Sequence, residues 1–458
     1  MPTIIKNGQI VTGDQIITGD ILIKNGKITE IGTGFTKVTQ EIVDATGKYI
    51  LPGGVDASVH FQEEAYNTTT ADDFESGTIA AAAGGTTTVL VYAFSQKSYF
   101  KRGLETWIRR ADKKCAVDYG FHLVLTHYND RSLNEISHIV KEGTNSFICF
   151  FTGRSMGINE GQLYAILRRV AAEKGIVGIH AGNGSVTDIL EHSHIQSGSR
   201  GPKAHAECRP PEVEGFAVNS ALTLAEMAQA PLFVRHISAV HALEKLKIFR
   251  DRGNTVFGET CPHYLFLDES RLDDADFETA RFVCSPPLRP AWHPCGLWRG
   301  IASGDIRMVS SNHMPFNFDN QKSHGKRDFR KIPSGLPGVE HRLLLMYGLG
   351  VVPGKISLTR MVRLVAADPA RLFGMYPQKG TITLGSDADL VILNPQGKTK
   401  IQRSSQYQKV DYTPYEGLEL PGVIERVFLR GKQVVKEGKY IGQAGDGRLI
   451  QRGNPLLD

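Results

Sequence analysis

Short apolar runs recur through the middle of the chain, each of a length that suits one β-strand. Segments rich in Ala, Glu and Leu separate them, as helices separate the strands of βα units. Eight alternations of this kind favour a (β/α)8 TIM barrel over an open sheet. The eight predicted strands lie in VDASVHF (55–61), GTTTVLVYAF (85–94), YGFHLVLT (119–126), SFICFF (146–151), GIVGIHA (175–181), PLFVRHIS (231–238), TVFGET (255–260) and IRMVSSN (306–312).

The two ends of the chain show a different pattern, with apolar and polar residues alternating in short stretches. Asn-Gly pairs at Asn7 and Asn25 are typical of tight β-hairpin turns, and similar alternation returns in ADLVILNP (388–395). Because chain termini often lie close together, both ends are expected to build one β-sandwich. The predicted domains are the β-sandwich (1–52 and 381–445), the barrel (53–380) and a C-terminal tail (446–458).

Composition narrows the function classes. The 458 residues carry a formal net charge of +5 from interspersed Lys and Arg, which gives no support for a nucleic-acid partner. No apolar run approaches the roughly 18 residues of a membrane span, so no membrane partner is expected. The six cysteines form no CxxC pair, which is typical of reduced thiols and favours a cytoplasmic protein. Neither a Walker motif nor a dinucleotide-binding glycine fingerprint is present.

Histidines stand at the carboxyl ends of several predicted barrel strands, where TIM barrels place their active sites. They are His60, His180 and His236, and the last predicted strand ends in Asn312 and His313. One such histidine is more often a satisfied structural residue than a ligand. Three at one barrel mouth instead indicate a metal or proton-transfer site, because imidazole is the commonest neutral metal ligand near pH 7.

Long, idiosyncratic stretches of the chain resemble the cyclic amidohydrolases (hydantoinases, dihydropyrimidinases and allantoinases), most closely the dihydropyrimidinase/hydantoinase branch. The resemblance implies a barrel with a β-sandwich from both chain ends, and a tail that packs on a neighbour in a homotetramer. Among the matching stretches are LPGGVDASVHF, TADDFESGTIAAAAGGTTT, RPPEVEGFAVNSAL, GETCPHYLFLD, FVCSPPLR, IPSGLPGVEHRLLLMYGLGV and VDYTPYEGLELPGVIERVFLRGKQVVKEGKYIG.

The same resemblance implies two divalent metals, usually zinc. Their ligands would be a His-x-His pair on strand 1, a carboxylated lysine on strand 4, one histidine each on strands 5 and 6, and an aspartate on strand 8. A bridging hydroxide would attack the ring amide, and the aspartate would shuttle the proton. Two metals would lower the pKa of the bound water and polarise the carbonyl.

The chain departs from this ligand set at three of the six positions. His60, His180 and His236 match, whereas Ser58 replaces the first strand-1 histidine, Ile148 the lysine and Asn312 the aspartate. Every anionic ligand is therefore missing, and a bare dication in a pocket is costly. The sequence predicts either no cofactor or one weakly bound divalent metal (zinc) on His60, His180 and His236.

Further positions bear on the pocket. Ser285 keeps the substrate-side serine of SPPLR, Ser334 stands where the family has asparagine, and Arg154 is a third candidate substrate-binding residue. The tyrosine with which family members help to hold the oxyanion would fall near Gly153, so the resemblance implies that this chain lacks it. Glu63 and Glu64 follow His60 and could supply new carboxylates, but charges of a surface loop are the favoured interpretation. Cys149 is expected to face the helices, because it alternates with Ile148 along its strand.

Two functions remain open, with ordinary two-zinc hydrolysis of cyclic amides as the least favoured third. In the first, the protein binds or acts on a cyclic amide, ureide or related heterocycle with a mononuclear or metal-free pocket. His180, His236 and Asn312 would then polarise the substrate and transfer protons. In the second, it is a non-catalytic pseudoenzyme serving as scaffold or regulatory partner, as collapsin response mediator proteins are. Either way a homo-oligomer, tetramer or dimer, is expected.

Overall fold

The computed structural model describes residues 2–35, 41–95, 99–151, 157–273 and 276–457. Its centre is a barrel of eight parallel strands that neighbour one another in chain order, which confirms the TIM-barrel prediction. Barrel strands 1 to 8 are Gly54–Val59, Thr86–Phe94, Asp118–Leu125, Ser146–Phe151, Ile176–Ala181, Leu232–Val234, Val256–Thr260 and Ile306–Val309.

Strands 1 and 8 meet through the residues that follow them, and this contact closes the barrel at its mouth. The His60 backbone N–H donates to the carbonyl of His313 at 2.8 Å, and the His313 N–H donates to the carbonyl of Ser58 at 3.2 Å. This contact brings Ser58 and Asn312, which replace two of the family's metal ligands, side by side.

Side chains alternate between the barrel interior and the surrounding helices, as the two-residue period of a strand requires. Ile148 packs inside the barrel with residues such as Val55, Phe233 and Met308. Cys149 belongs to the large cluster between barrel and helices. The prediction that Cys149 faces the helices is therefore confirmed.

Helices follow the strands and cover the barrel. The first begins with a capping box, in which the Asp73 carboxylate accepts a hydrogen bond from the Ser76 backbone N–H at 2.8 Å. None of the helices in the described ranges is long and apolar enough to cross a membrane. The α-helices are Phe74–Ala83, Phe100–Ala111, Asp130–Lys141, Glu160–Ala172, Gly184–Gln196, Pro202–Glu207, Pro211–Ala228, Val240–Asp251, Pro262–Phe266, Trp292–Ser303, Arg342–Met346, Leu358–Val362 and Asp368–Leu372, with π-helical turns at Tyr347–Val351 and Arg363–Ala367.

Both ends of the chain contribute to one nine-stranded mixed sheet. The N- and C-terminal parts join where Ile50 pairs with Ile392 in antiparallel register. Asn25 makes a hairpin turn with a positive φ of 52°, as predicted, whereas Asn7 lies at a bulge within the first strand. The strands are Thr3–Val11, Ile16–Lys24, Lys27–Gly32, Glu41–Asp44, Tyr49–Pro52, Leu390–Lys400, Glu419–Leu429, Lys432–Lys436 and Lys439–Tyr440.

The C-terminal segment packs against the barrel of its own chain. Arg452 is buried, and its guanidinium donates to the Ser146 hydroxyl at 2.7 Å and to the carbonyl of Phe121 at 2.5 Å. The Ile450 N–H donates to the carbonyl of Tyr119 at 2.8 Å. A role of this segment at an oligomer interface stays a prediction.

Candidate functional site

A cavity of about 880 Å³ opens at the carboxyl ends of the barrel strands, within the size range of small-molecule sites. Arg154 and Gly153 lie outside the described residues. Six of the sequence-predicted residues line the cavity: His60, His180, His236, Ser285, Asn312 and Ser334.

His60 is held by a carboxylate. Its Nδ1 lies 2.5 Å from Oε2 of Glu63, and both side chains are almost fully buried. The interpretation of Glu63 as a surface charge is therefore wrong, whereas Glu64 is exposed. The loop after strand 1 folds back as a small hairpin, and the Glu63 N–H donates to the Thr70 hydroxyl at 3.1 Å.

Ser58 and Asn312 are hydrogen-bonded to each other. The Ser58 hydroxyl donates to Oδ1 of Asn312 at 3.3 Å and accepts from the Tyr92 hydroxyl at 2.9 Å. All three side chains are buried, and Asn312 has a left-handed backbone with φ of 47°. A left-handed conformation away from glycine is uncommon and often marks a functional position. The two replaced ligands thus form a neutral hydrogen-bonded chain.

His180 and His236 lie side by side at the mouth, with ring centroids 4.9 Å apart. Burial, with the nearby Arg235 cation as the next cause, lowers the pKa of His180 to about 3. The same causes lower the pKa of His236 well below its usual range. Both imidazoles are therefore neutral at pH 7, and Nδ1 of His236 is buried without a hydrogen-bond partner in the described part of the chain.

Arg235 is a pocket residue that the sequence analysis missed. It follows strand 6 directly, and its backbone N–H still donates to the carbonyl of Ile179 at 3.0 Å. Its guanidinium carbon lies 3.9 Å from the centroid of the Tyr92 ring, and only 3% of the residue is exposed. The signal was available: Arg235 lies two residues after Phe233, an inward-facing core residue, so strand alternation places it inside.

A second buried charged group, Glu259, lies on strand 7 and is completely buried, but it does not line the cavity. Burial raises the pKa of its carboxyl group to about 8, although the Arg235 cation lowers it in part. Among the described residues, neither oxygen of Glu259 accepts a hydrogen bond from Arg235. Glu259 is therefore not a salt-bridge partner that would neutralise the guanidinium.

The two predicted substrate-side serines also line the cavity. Ser334 is buried, and its hydroxyl lies 3.3 Å from Nε2 of His205. Ser285 lines the cavity directly before Pro286. These positions are compatible with the substrate-binding role predicted from the sequence, which stays a prediction.

The residues at the mouth do not fit a two-metal centre. Ile148 offers no ligand atom, Nδ1 of His60 faces Glu63, and the ligand atoms of the three histidines do not converge within 4.8 Å of one another. What remains is a pair of imidazoles beside a guanidinium, whereas catalytic zinc sites use three protein ligands.

A cluster of three carboxylates elsewhere is also no metal site. Asp118, Asp387 and Asp389 converge where barrel and sheet meet. The ammonium of Lys379 lies 2.5, 2.9 and 2.6 Å from their oxygens and occupies the centre. This buried ion network joins the barrel to the nine-stranded sheet.

Comparison with known proteins gives matches along nearly the whole chain. Residues 336–434 match the Amidohydrolase family. The chain is 40% identical to a D-hydantoinase of Streptomyces coelicolor, covering 98% of each chain, and 41% identical to a D-hydantoinase of Geobacillus stearothermophilus, covering 99% of this chain and 97% of that one. The crystal structure of a dihydropyrimidinase from Brevibacillus agri superposes with a TM-score of 0.98 at 39% identity, covering 99% of each chain.

Proposed function

The chain belongs to the hydantoinase and dihydropyrimidinase family of amidohydrolases, and on that basis we propose that its barrel-mouth cavity binds a small cyclic amide or ureide without a pair of metals. His180, His236 and Asn312 would contact the ring, polarise its carbonyl groups and exchange protons with it. At most one weakly held divalent metal, zinc, would assist them.

One observation carries this proposal: the replaced ligand positions are built into other interactions. Ile148 packs in the apolar interior of the barrel, and the Ser58 hydroxyl donates a hydrogen bond to the side chain of Asn312. Neutral residues in these places leave nothing to balance two dications, and an uncompensated buried charge is expensive. Six polar or imidazole side chains still line the cavity, which supports the proposal that it binds a polar ring.

Binding to metal-free protein tests the proposal. Hydantoin and dihydrouracil are titrated calorimetrically into protein dialysed against a chelator, and binding is expected in the wild type. His236→Ala should weaken it about tenfold or more, since a buried polar contact is lost. His138→Ala is the matched control, because His138 is exposed on the helix after strand 3 and does not line the cavity. The proposal would be contradicted if neither hydantoin nor dihydrouracil bound.

The second candidate function, a non-catalytic scaffold or regulatory protein, is favoured by Ile148. An apolar residue at the expected metal bridge is what core packing alone would select, and it removes the central group of the family's chemistry. The two candidates differ in turnover, which the scaffold lacks. A ring that binds and is never converted, by protein with or without added zinc, supports the scaffold.

Prolonged chelation should leave the thermal midpoint within about 2 °C of its starting value, because a barrel is stabilised by its layered core. A metal that binds only the native state would add stability in proportion to its affinity. Differential scanning fluorimetry before and after chelation measures this, with protein resupplied with zinc as the control. A fall of more than about 5 °C that zinc restores would reveal a tightly held metal.

The homo-oligomer, a tetramer or dimer, is likewise a proposal here. It follows from the resemblance described above and is measured by light scattering at several protein concentrations. A monomer at all concentrations would contradict it.

A further inference from the structure

The side chain of Arg235 lies among the residues that the family would use to hold metals. It lines the same cavity as His180 and His236. Its guanidinium carbon lies 5.9 Å from the centroid of the Phe150 ring, which in turn lies 5.5 Å from the ring of His180. The guanidinium lies against the face of Tyr92, whose hydroxyl bonds to Ser58. Arg235 therefore occupies the floor of the cavity.

This guanidinium has unsatisfied donors. Nε and Nη1 of Arg235 are buried and have no hydrogen-bond partner among the described residues. Arg235 forms no ion pair with a carboxylate of the described residues, in contrast to Arg289, which lies 2.9 Å from Glu214. A buried charge without a partner is costly, so its presence in a cavity points to a ligand that completes it.

The other arginines that line the cavity are paired with carboxylates. Each has a carboxylate partner within 4 Å: Arg110 with Glu64, Arg209 with Glu191, Arg289 with Glu214 and Arg330 with Asp328. Among the described residues of the lining, Arg235 is the arginine without a carboxylate partner. The pocket thus carries a net positive charge at its floor.

We propose that Arg235 is an oxyanion-binding residue that takes the place of the metal pair, and that the ligand of this cavity carries a carboxylate. The inference rests on the proposed function, since it concerns the same cavity and specifies the charge of its ligand. A guanidinium presents parallel N–H donors that match the two oxygens of a carboxylate, and such charge-assisted bonds are among the stronger ones in proteins.

The wall of the cavity next to Arg235 is aromatic and suits the uncharged part of such a ligand. The Phe150 ring lies 5.9 Å from the guanidinium carbon, and it stacks near Phe94 with ring centroids 6.2 Å apart. Both rings line the cavity. A small flat or ureido-bearing carboxylate would therefore place its charge on Arg235 and its body against an apolar wall.

Three probes that differ mainly in charge test the inference. Hydantoin is neutral, N-carbamoylglycine is its ring-opened carboxylate, and N-carbamoylglycinamide is nearly the same shape as the acid without the charge. Each is titrated calorimetrically into metal-free protein at pH 7. The wild type should bind the acid at least about tenfold more tightly than the amide, as charge-assisted pairing predicts.

Removal of the charge should remove this preference. In Arg235→Met and Arg235→Gln the acid and the amide should bind within about twofold of each other. Arg330→Met is the matched control, because its guanidinium lines the same cavity but is held by Asp328 at 2.8 and 2.9 Å. It should keep the preference. The melting midpoint of each variant shows that it is folded, and the glutamine variant covers the case in which methionine disturbs packing.

Four outcomes separate this inference from the proposed function. Preference for the acid that is lost with Arg235 supports both. Equal binding of the acid, the amide and hydantoin, or a preference that survives in Arg235→Gln, overturns the role of Arg235 and leaves the ring-binding function standing. Binding of the acid alone, dependent on Arg235 and without detectable binding of hydantoin or the amide, supports the oxyanion site and overturns binding of the neutral ring. Binding of none of the probes overturns both.

Discussion

Hydantoin and dihydrouracil should be hydrolysed by this protein at less than about 0.001 per second, roughly ten-thousandfold below the turnover of a median enzyme. The reason is the simultaneous loss of groups that act together. Ile148 cannot bridge metals, and Asn312, bonded to Ser58, is no carboxylate that could accept the proton of an attacking water. Loss of one electrostatic stabilising group alone typically costs a hundredfold to a thousandfold.

Chromatography of the ring-opened product measures this rate, with protein supplied with zinc, manganese or cobalt and with metal-free protein in parallel. A two-metal hydantoinase in the same buffer is the positive control. Turnover near 10 per second would contradict the prediction, provided that His236→Ala removes it and a contaminating enzyme is thereby excluded. A slow rate with some other ring would leave the prediction intact and favour the catalytic candidate over the scaffold.

The barrel could be predicted because its signal is local and repeated. Runs such as SFICFF coincide with the observed strand Ser146–Phe151, since a strand buried on both faces must be apolar throughout. PLFVRHIS predicted a strand over 231–238, but the strand ends at Val234. His236 adopts a left-handed backbone with φ of 37°, which takes the chain out of the strand. Apolar composition alone does not reveal such a turn.

The site was predicted where polar residues end the predicted strands and where single positions could be compared with the family. His60, His180, His236 and Asn312 do meet at the cavity. Glu63 could not be placed, because its contact with His60 depends on a loop that folds back on itself. Contacts of this kind are set by tertiary packing rather than by local spacing.

Arg235 was missed for a different reason. A charged residue within an apolar strand is normally assumed to face solvent, because unpaired charges are almost never fully buried. Strand alternation from Phe233 indicated the opposite orientation, and the structure follows the alternation. A position where these two rules conflict is where a functional residue is to be expected.

Reconstruction of the metal site should require four substitutions rather than three. Ser58→His, Ile148→Lys and Asn312→Asp restore the ligand set around His60, His180 and His236. Arg235 still leaves a guanidinium in the same cavity as the two imidazoles, and its positive charge opposes a dication. Addition of Arg235→Val should therefore raise the metal content, in the presence of zinc and bicarbonate, from near zero to about two per chain, as in the two-metal sites of hydrolases.

Mass spectrometry of metal content on the parent, triple and fourfold variants decides this. The triple variant should bind far less metal than the fourfold one, because groups that act as a unit are strongly non-additive. Ile148→Lys alone should lower the thermal midpoint, since it places an ammonium in the apolar barrel interior without an anion or metal. Equal metal content in the triple and fourfold variants would show that Arg235 does not exclude metal. Two tightly held metals in the parent would contradict the metal-free pocket altogether, because Ser58, Ile148 and Asn312 would then have to be compatible with a centre that their hydrogen bonds and packing oppose.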